Sequence, residues 1–406
     1  MKLNNMAIDR VTPSVLITSV LNPDMRVFDV VMRTEYGTSY NSYVVKGAEK
    51  VALVDASHAT FGGDYLEKVA QALDGRTPDY LVMNHTEPDH SGTVATLLEH
   101  YPDITIVISP AGAIYLKNIV NRSDLKVTTV KDGDSLDLGG KTLHFISAPL
   151  LHWPDTMFTW LPEEKVVFTC DFLGAHYCEP RLFDTRVTYV DAYVSALKNY
   201  FDCIFAPFKP AVLKGLEKLE ALDAEFACTS HGPILTKGHG LERAKERYRQ
   251  WATVDPCGHK RIPLFYCSAY GNTERLATHV ARGVLRSQPS AEVACYDLVK
   301  HELSELAAIL NASDAFLIGS PTINRDALPV VWKLIADIDA VTIAKRPVAL
   351  FGSYGWSGEA VPHLAERLSS IRAAVFEKQL KVAFTPTEAD LAAAEELGEE
   401  FGASLG

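Results

Sequence analysis

The chain of 406 residues lacks several features that would mark whole classes of protein. No uninterrupted apolar run of about 18 residues occurs, so the sequence predicts no membrane-spanning helix. Basic residues are in deficit, and the formal net charge of -12 argues against a nucleic-acid partner, which would select a basic face. Residues 1–12 contain no apolar export segment, and we therefore expect a cytoplasmic protein.

Cysteine is present but forms no recognisable framework. The seven cysteines are odd in number and include no C-x-x-C pair, which argues against a disulfide scaffold and against a rubredoxin-type iron site. Cys228 and Cys267 lie inside apolar runs, where we expect buried free thiols.

Length and pattern both predict two domains. A chain of 406 residues exceeds what one ordinary hydrophobic core supports. The first half mixes short apolar β-type runs with helical stretches, which predicts helices packed outside two sheets. Residues 252–260 form a polar stretch with Pro and Gly, so we place the domains at residues 1–252 and 260–406.

The second half alternates strands and helices in a regular way. Apolar strands are predicted to begin at Ile262, Val293, Ala315, Val348 and Leu380, and a helical segment follows each of them. This succession of βα units predicts a doubly wound, five-stranded parallel sheet. Such sheets bind their ligands at the carboxyl ends of the strands.

The strongest chemical signal in the first half follows the apolar run Tyr80–Met83. The segment His85-Thr86-Glu87-Pro88-Asp89-His90 contains two imidazoles and two carboxylates. Three further candidate ligands each come directly after an apolar strand: His152, Asp171 and His231. Because strands deliver the residues that follow them to the rim of a sheet, this shared placement predicts a metal site.

The number and kind of side chains indicate two ions. Seven side chains exceed the needs of one ion, and one carboxylate can bridge a pair. Three carboxylates and a bridging hydroxide would balance the four positive charges of two divalent ions. Imidazole and carboxylate without thiolate suit iron or manganese as well as zinc, and the glutamate favours iron. The predicted ligands are His85, Glu87, Asp89, His90, His152, Asp171 and His231.

Three loops at strand ends in the second half predict a flavin site. The loop from Cys267 to Thr273 opens a helix, whose amides and dipole favour a phosphate. It contains neither G-x-G-x-x-G nor G-K-[ST], so nothing in it supports a dinucleotide or ATP. The loops after the third and fourth strands offer Tyr354 and Trp356 for stacking on an isoalloxazine ring. The residues predicted to bind FMN are Ser268, Tyr270, Gly271, Asn272, Thr273, Ser320, Pro321, Thr322, Asn324, Ser353, Tyr354, Gly355, Trp356 and Gly358.

Taken together, these motifs resemble those of the flavodiiron protein family. Zinc hydrolases of the metallo-β-lactamase-like superfamily carry an H-x-H-x-D-H turn, in which Glu87 here replaces the second histidine. The segments 152–157 (His-Trp-Pro-Asp-Thr-Met) and 170–171 (Cys-Asp) also match motifs of the flavodiiron family. The resemblance implies two iron sites with Asp171 as their bridge, formed by His85, Glu87 and His152 and by Asp89, His90 and His231.

The resemblance also implies a fold and an activity. The fold would be an N-terminal αββα metallo-β-lactamase-like sandwich followed by a flavodoxin-like domain. FMN would take electrons from an external donor, such as rubredoxin or a reduced deazaflavin, and pass them to two iron ions per chain, where O2 is reduced to water or NO to N2O. The family arrangement would be a head-to-tail homodimer or a dimer of dimers.

Two alternatives come from other functional classes. The first is a dinuclear zinc hydrolase with an accessory flavin domain, in which a bridging hydroxide is the nucleophile. Glu87 and the flavin loops argue against it. The second is an electron carrier that uses flavin alone, which would leave seven ligands unexplained. Tyr40, His176 and Tyr200 could line the metal pocket, but packing explains them equally well.

Overall fold

The structure, a computed structural model, describes residues 8–29, 32–253 and 258–406. Contacts divide the chain into two compact units, residues 1–254 and 255–406. Residues 254–257 of the predicted linker, which include Cys257, lie outside the described residues. Every helix among the described residues is too short or too polar to span a membrane.

The first unit is built from short strands and seven α-helices in its described residues. Its strands are β1 (Val15–Ile17), β2 (Val20–Asn22), β3 (Val27–Phe28), β4 (Met32–Arg33), β5 (Thr38–Tyr40), β6 (Tyr43–Lys46), β7 (Val51–Val54), β8 (Tyr80–Met83), β9 (Thr105–Ile108), β10 (Val127–Thr129), β11 (Ser135–Asp137), β12 (Thr142–Ser147), β13 (Met157–Leu161), β14 (Val166–Cys170), β15 (Phe226–Thr229) and β16 (Leu235–Thr236). Its helices are α1 (Gly62–Leu73), α2 (Pro88–Ser91), α3 (Val94–His100), α4 (Pro110–Val120), α5 (Val190–Tyr200), α6 (Lys209–Glu220) and α7 (Gly240–Ala252).

Twelve of these strands form two large sheets that face each other, and the other four form the two-stranded sheets β2-β5 and β3-β4. The first has the order β1-β6-β7-β8-β9-β10 and the second the order β11-β12-β13-β14-β15-β16. Side chains such as Val82 and Phe168 fill the space between them. Helices α1, α3 and α4 cover the outer face of the first sheet, and α5, α6 and α7 cover that of the second. The result is the αββα sandwich that the sequence predicts.

Burial on both faces explains the composition of the central strands. All four residues of β7, Val51–Val54, are buried, because one face meets the second sheet and the other meets helices. Each large apolar side chain removed from water in this way contributes roughly 1.5–3 kcal/mol. The sandwich therefore supplies a rigid frame, and the polar residues that follow β8, β14 and β15 are held at its rim.

The second unit contains one parallel sheet with helices on both faces. Its strands are β17 (Leu264–Tyr266), β18 (Cys295–Asp297), β19 (Phe316–Gly319), β20 (Pro347–Tyr354), β21 (Ala374–Val375) and β22 (Leu380–Ala383). Its helices are α8 (Asn272–Ser287), α9 (Leu303–Asn311), α10 (Pro329–Ala336), α11 (Ala360–Ser370) and α12 (Glu388–Ala403). Helices α8 and α12 pack on one face of the sheet, and α9, α10 and α11 on the other.

The sheet order is β18-β17-β19-β20, followed by a divided fifth position. Strand β21 pairs with the start of β20, at Pro347 and Val348, and β22 pairs with its end, from Phe351 to Tyr354. Strand β20 spans eight residues, so it is long enough to accept both partners. The doubly wound parallel sheet is as the sequence predicts, but two short strands share the place of the predicted fifth strand.

Two glycines allow α8 and α12 to cross closely. A Cβ atom at Gly283 would lie 1.9 Å from the carbonyl oxygen of Glu395, and one at Gly398 would lie 2.0 Å from that of Val280. Real Cβ contacts are not that short, so any larger residue would separate the two helices.

Candidate metal centre and flavin site

The seven side chains predicted as metal ligands come together at one rim of the first unit. After β8 the chain passes His85 and enters the single helical turn α2, whose first residue is Pro88. Proline suits that position because its missing N–H would have no partner inside the helix. Asp171 directly follows β14, His231 comes two residues after β15, and His152 lies between β12 and β13.

One group of ligand atoms surrounds Glu87. Its Oε2 atom lies 3.2 Å from His85 Nε2 and 2.9 Å from His152 Nε2. Asp171 Oδ2 lies 3.5 and 3.6 Å from the same two nitrogens. Two ligands that each lie about 2.1 Å from an ion, at right angles, are about 3 Å apart. These separations therefore suit one shared ion.

A second group forms beside the first. His231 Nε2 lies 2.9 Å from Asp89 Oδ2, and His90 Nε2 lies 3.3 Å from Asp89 Oδ1. Asp171 Oδ1 lies 3.0 Å from His90 Nε2 and 3.4 Å from His231 Nε2. Asp171 thus presents one oxygen to each group, which is the arrangement of a bridging carboxylate.

Carboxylate oxygens without hydrogen-bond partners in the described part of the chain show that the site suits cations. Both carboxylate oxygens of Asp89 and the Oδ2 atom of Asp171 are buried, and they have no hydrogen-bond partner among the described residues. Burying an ionised carboxylate without a partner is costly, and ligation of a cation removes that cost. The donor set therefore fits two metal ions.

Cys170 lies beside the second group, close to His90 and Asp171. Its thiol accepts a hydrogen bond from Ser230 Oγ at 3.3 Å, and burial raises the pKa of Cys170 well above its usual value. A protonated thiol is a poor ligand. Imidazole and carboxylate donors remain, and that set suits iron, manganese or zinc.

Charges in the cluster balance one another. Burial by itself would raise the pKa of Glu87, but hydrogen bonds from the histidines, His152 first, lower it. Burial would lower the pKa of His90, but the charges of Asp89 and Asp171 raise it to about 10. Without a metal, a proton on His90 thus offsets negative charge in the cluster, and cations would take over this role.

Hydrogen bonds behind the ligands decide which ring nitrogen faces the site. His85 Nδ1 donates to Asp155 Oδ1 at 3.1 Å, while Asp155 Oδ2 accepts from Thr86 N at 2.8 Å and from Thr86 Oγ1 at 2.7 Å. His231 Nδ1 donates to the carbonyl oxygen of Ser39 at 2.8 Å. Both rings therefore direct Nε2 towards the ligand position. Sequence reasoning placed Asp155 in a motif but missed this function.

The three residues whose roles the sequence left open all pack around His231. The ring centroids of Tyr40, His176 and Tyr200 lie 5.7, 4.6 and 5.9 Å from that of His231. Burial lowers the pKa of His176 and raises that of Tyr200, so both side chains are neutral near pH 7. They form an uncharged wall beside one ligand.

A cavity of about 490 Å³ leads to the cluster. Glu87 and Asp89 form part of its wall, together with Asp29 and His58. Partial burial and the negative charge of Glu87 raise the pKa of Asp29 to about 6. Sequence reasoning missed Asp29 and His58, because no ligand motif adjoins either residue and only the fold brings them here.

A larger cavity of about 920 Å³ opens in the second unit, at the carboxyl ends of the strands. Most of the residues predicted to bind FMN line it: Tyr270, Asn272, Pro321, Thr322, Asn324, Ser353, Tyr354, Gly355 and Trp356. Its wall also contains Ala269, Ile323, Arg325, Ser357 and Phe384, which the sequence did not predict. Tyr270 is 91% exposed and Trp356 fully exposed, so both aromatic faces are open to a ligand.

The other predicted FMN residues, Ser268, Gly271, Thr273, Ser320 and Gly358, lie outside the described lining of this cavity. Thr273 is buried, with its Oγ1 atom 2.9 Å from Ser353 Oγ. Ser268 Oγ accepts a hydrogen bond from Glu274 N at the start of α8. Gly271 has a φ of 78°, a conformation that favours glycine. These residues shape the loops around the cavity.

The first unit is an αββα sandwich with two adjoining groups of potential metal ligands, and the second is a doubly wound sheet with a cavity at the carboxyl ends of its strands. These features define a class of protein: a metallo-β-lactamase-like domain fused to a flavodoxin-like domain. Residues 38–232 match the family described as ODP family beta lactamase, and residues 264–398 match the family described as Flavodoxin.

Relatives identify the family within this class. The Flavo-diiron protein FprA2 of Clostridium acetobutylicum is 48% identical over 397 residues, which cover 98% of this chain and 99% of that protein. The Type A flavoprotein fprA of Rhodobacter capsulatus is 37% identical over 405 residues, which cover 97% of this chain and 90% of that protein. The solved structure of rubredoxin oxygen:oxidoreductase from Desulfovibrio gigas is similar with a TM-score of 0.72 and 28% identity, and the match covers 98% of each chain. The chain belongs to the flavodiiron protein family.

Family membership confirms three predictions from the sequence: the resemblance itself, the fold class, and the cofactors FMN and two iron ions. It also makes the chain a flavoprotein and an oxidoreductase.

Proposed function

We propose that this chain takes electrons from an external donor, passes them through FMN to the diiron centre, and there reduces O2 to water, NO to N2O, or both. The observation that carries the proposal is the ligand cluster in which Asp171 faces two groups and position 87 is a glutamate. The name of the Desulfovibrio gigas relative supports rubredoxin as donor and O2 as substrate. A reduced deazaflavin is an alternative donor.

In this proposal the two groups of side chains hold one iron each, and Asp171 is shared between them. The ions would bind the diatomic gas and transfer electrons to it, while FMN would relay electrons from the donor. The ligands of the first iron are His85, Glu87 and His152, and those of the second are Asp89, His90 and His231.

The protein contributes burial and orientation. Side chains of the ligands are at most 12% exposed, so bulk water is held away from them. Asp155 and the carbonyl oxygen of Ser39 fix the rings of His85 and His231 from behind. A small gas would reach the ligands through the cavity beside Asp29 and His58.

The flavin would occupy the cavity of the second unit. Amides at the start of α8, with Ser268 and Thr273, suit the phosphate, because a helix N-terminus favours an anion. Tyr354 and Trp356 would flank the isoalloxazine ring. We keep the proposed domain bounds of 1–252 and 260–406.

Cofactor content and reactivity together test this function. We expect protein reconstituted with FMN and iron to hold both, and its reduced form to be reoxidised rapidly by O2, by NO or by both. Rates measured for the two gases side by side would give the substrate preference. Two zinc ions per chain with thioesterase activity, and no reaction with either gas, would favour the zinc hydrolase instead.

We also propose that the working unit is a head-to-tail homodimer, in which the flavin of one subunit serves the irons of the other. The test is a mixed dimer of Asp171→Ala, which lacks the metal bridge, and Asn272→Asp, which places a negative charge in the cavity wall at the start of α8 and repels the phosphate. If electrons pass between subunits, the mixed dimer should have about half of the activity of the unmodified dimer, because the intact flavin site of one subunit faces the intact iron site of the other. Transfer within a subunit leaves the mixed dimer inactive.

A further inference from the structure

We propose that Arg325 binds the reduced, anionic form of the flavin more tightly than the oxidised form and thereby raises the flavin's reduction potential. The inference rests on the proposed placement of FMN in the cavity of the second unit. It concerns one residue of the cavity wall that no motif in the sequence singled out.

Arg325 carries the one formal charge among the described residues that line this cavity. The other lining residues are apolar, aromatic or neutral polar. The described residues contain no acid within salt-bridge distance of Arg325. Its neighbour Asp326 is engaged elsewhere, with Oδ1 accepting from Ala327 N at 2.8 Å and lying 3.1 Å from His363 Nδ1. Arg325 helps to lower the pKa of Glu359 through its charge, but it forms no ion pair with that residue, so its guanidinium can still meet a ligand.

A strained turn holds Arg325 at the cavity. Asn324 and Arg325 have φ values of 55° and 60°, between Ile323 and Asp326, whose backbones exchange hydrogen bonds of 3.1 and 3.2 Å. Asparagine and glycine suit such a two-residue turn, whereas a long side chain at positive φ is disfavoured. A strained residue kept at a binding site motivates a hypothesis of function there.

The turn is also fixed to the sheet on both sides. Thr322 N donates to the carbonyl oxygen of Ser353 at 2.8 Å, and Leu328 N donates to Ser320 Oγ at 3.2 Å. Ser353 belongs to β20, and Ser320 directly follows β19. The backbone that carries Arg325 therefore has a set position beside the cavity.

The positive charge of Arg325 is what would distinguish reduced from oxidised flavin. Oxidised FMN takes up two electrons from the donor and one proton from solvent, and the reduced ring system then carries one negative charge. A nearby cation attracts this form and has little effect on the neutral oxidised ring. Because Arg325 would favour one of two states, it shifts the equilibrium between them towards reduction. A contact with the phosphate would act equally on both states and leave the potential unchanged.

The test compares Arg325→Asn with Arg372→Asn. Asparagine tolerates positive φ, so both variants keep their backbone conformation. Arg372 is an exposed arginine with a φ of 66° that does not line the cavity, so its replacement controls for net charge and for relief of strain. Arg325→Lys keeps the charge at the cavity. The measurements are the midpoint potential of bound FMN, titrated with dithionite, and the dissociation constants of oxidised FMN and riboflavin.

We expect Arg325→Asn to lower the preference for reduced flavin about tenfold, which corresponds to a potential about 30 mV more negative. The affinities for oxidised FMN and riboflavin should change little, and Arg325→Lys and Arg372→Asn should keep nearly the original potential. Three results would overturn the inference: an unchanged potential in Arg325→Asn, an equal shift in Arg372→Asn, or a loss of affinity for FMN that riboflavin does not share. If the unmodified protein binds no FMN, the placement of the flavin itself fails.

Discussion

Replacing Asp155 with asparagine removes a negative charge behind the metal cluster and keeps the size of the side chain. In the structure three donors converge on this buried carboxylate: His85 Nδ1, Thr86 N and Thr86 Oγ1. Asparagine offers one oxygen in place of two. Its NH2 group must therefore face either the histidine or the threonine.

Each orientation of the new amide has a cost. If the NH2 group faces His85, the ring must carry its proton on Nε2, which then cannot bind a metal. If it faces Thr86, the hydroxyl can rotate away but the backbone N–H loses its acceptor, at about 1–3 kcal/mol. Loss of such a partner typically weakens metal binding about 10- to 100-fold, or about 1.4–2.7 kcal/mol.

The assay is competition for zinc or iron(II) between metal-free protein and a coloured chelator. Asp103→Asn is the matched control, because that aspartate is exposed and pairs only with Lys126 among the described residues. We expect weaker metal binding in Asp155→Asn alone, with unchanged FMN content. Equal metal affinity in Asp155→Asn and the unmodified protein would show that the carboxylate does not position His85.

Three further predictions concern protons, packing and stacking. The pKa of His90 is raised to about 10 in the metal-free protein, so protonated His90 stabilises the folded state, and this stabilisation is lost as pH rises through 10. Metal binding at pH 7.5 should therefore release protons, which calorimetry in two different buffers would measure. No dependence of the heat on the buffer would contradict this. Gly283→Ala should destabilise the second unit by about 1–3 kcal/mol in thermal unfolding, because it separates α8 from α12. Gly63→Ala in the first unit, where a Cβ atom meets open space, should leave the unfolding free energy nearly unchanged. Trp356→Ala should weaken FMN binding about three- to tenfold by fluorescence titration, and Tyr189→Ala, an exposed aromatic of the other unit, should leave it unchanged.

Sequence reasoning predicted which side chains lie together where those side chains follow the ends of strands. His85, Asp171 and His231 each lie just beyond the end of a strand, and the edge of a sheet gathers such residues. Apolar runs at regular spacing likewise predicted the doubly wound sheet. The seven predicted ligands therefore meet in the structure, although none of the contacts between their loops is visible in the sequence.

The residues that were missed act through contacts distant in sequence. Asp155 and His85 are separated by 70 positions, and their hydrogen bond depends on how two loops meet. Phe384 reaches the flavin cavity because β22 pairs with β20, and the sequence does not specify that register. In the sequence Arg325 is an ordinary polar loop residue, and only the structure shows that it lines the cavity.

In the proposed function, the flavin and the diiron centre work together on one gas molecule. The most direct test of this function is a single turnover in which fully reduced protein, holding FMN and two iron ions, is mixed with a limiting amount of O2. We predict that each O2 takes up four electrons and four protons to give two waters, that flavin and iron are oxidised together, and that no hydrogen peroxide appears. Release of one hydrogen peroxide per O2, with the iron still reduced, would contradict the proposed function.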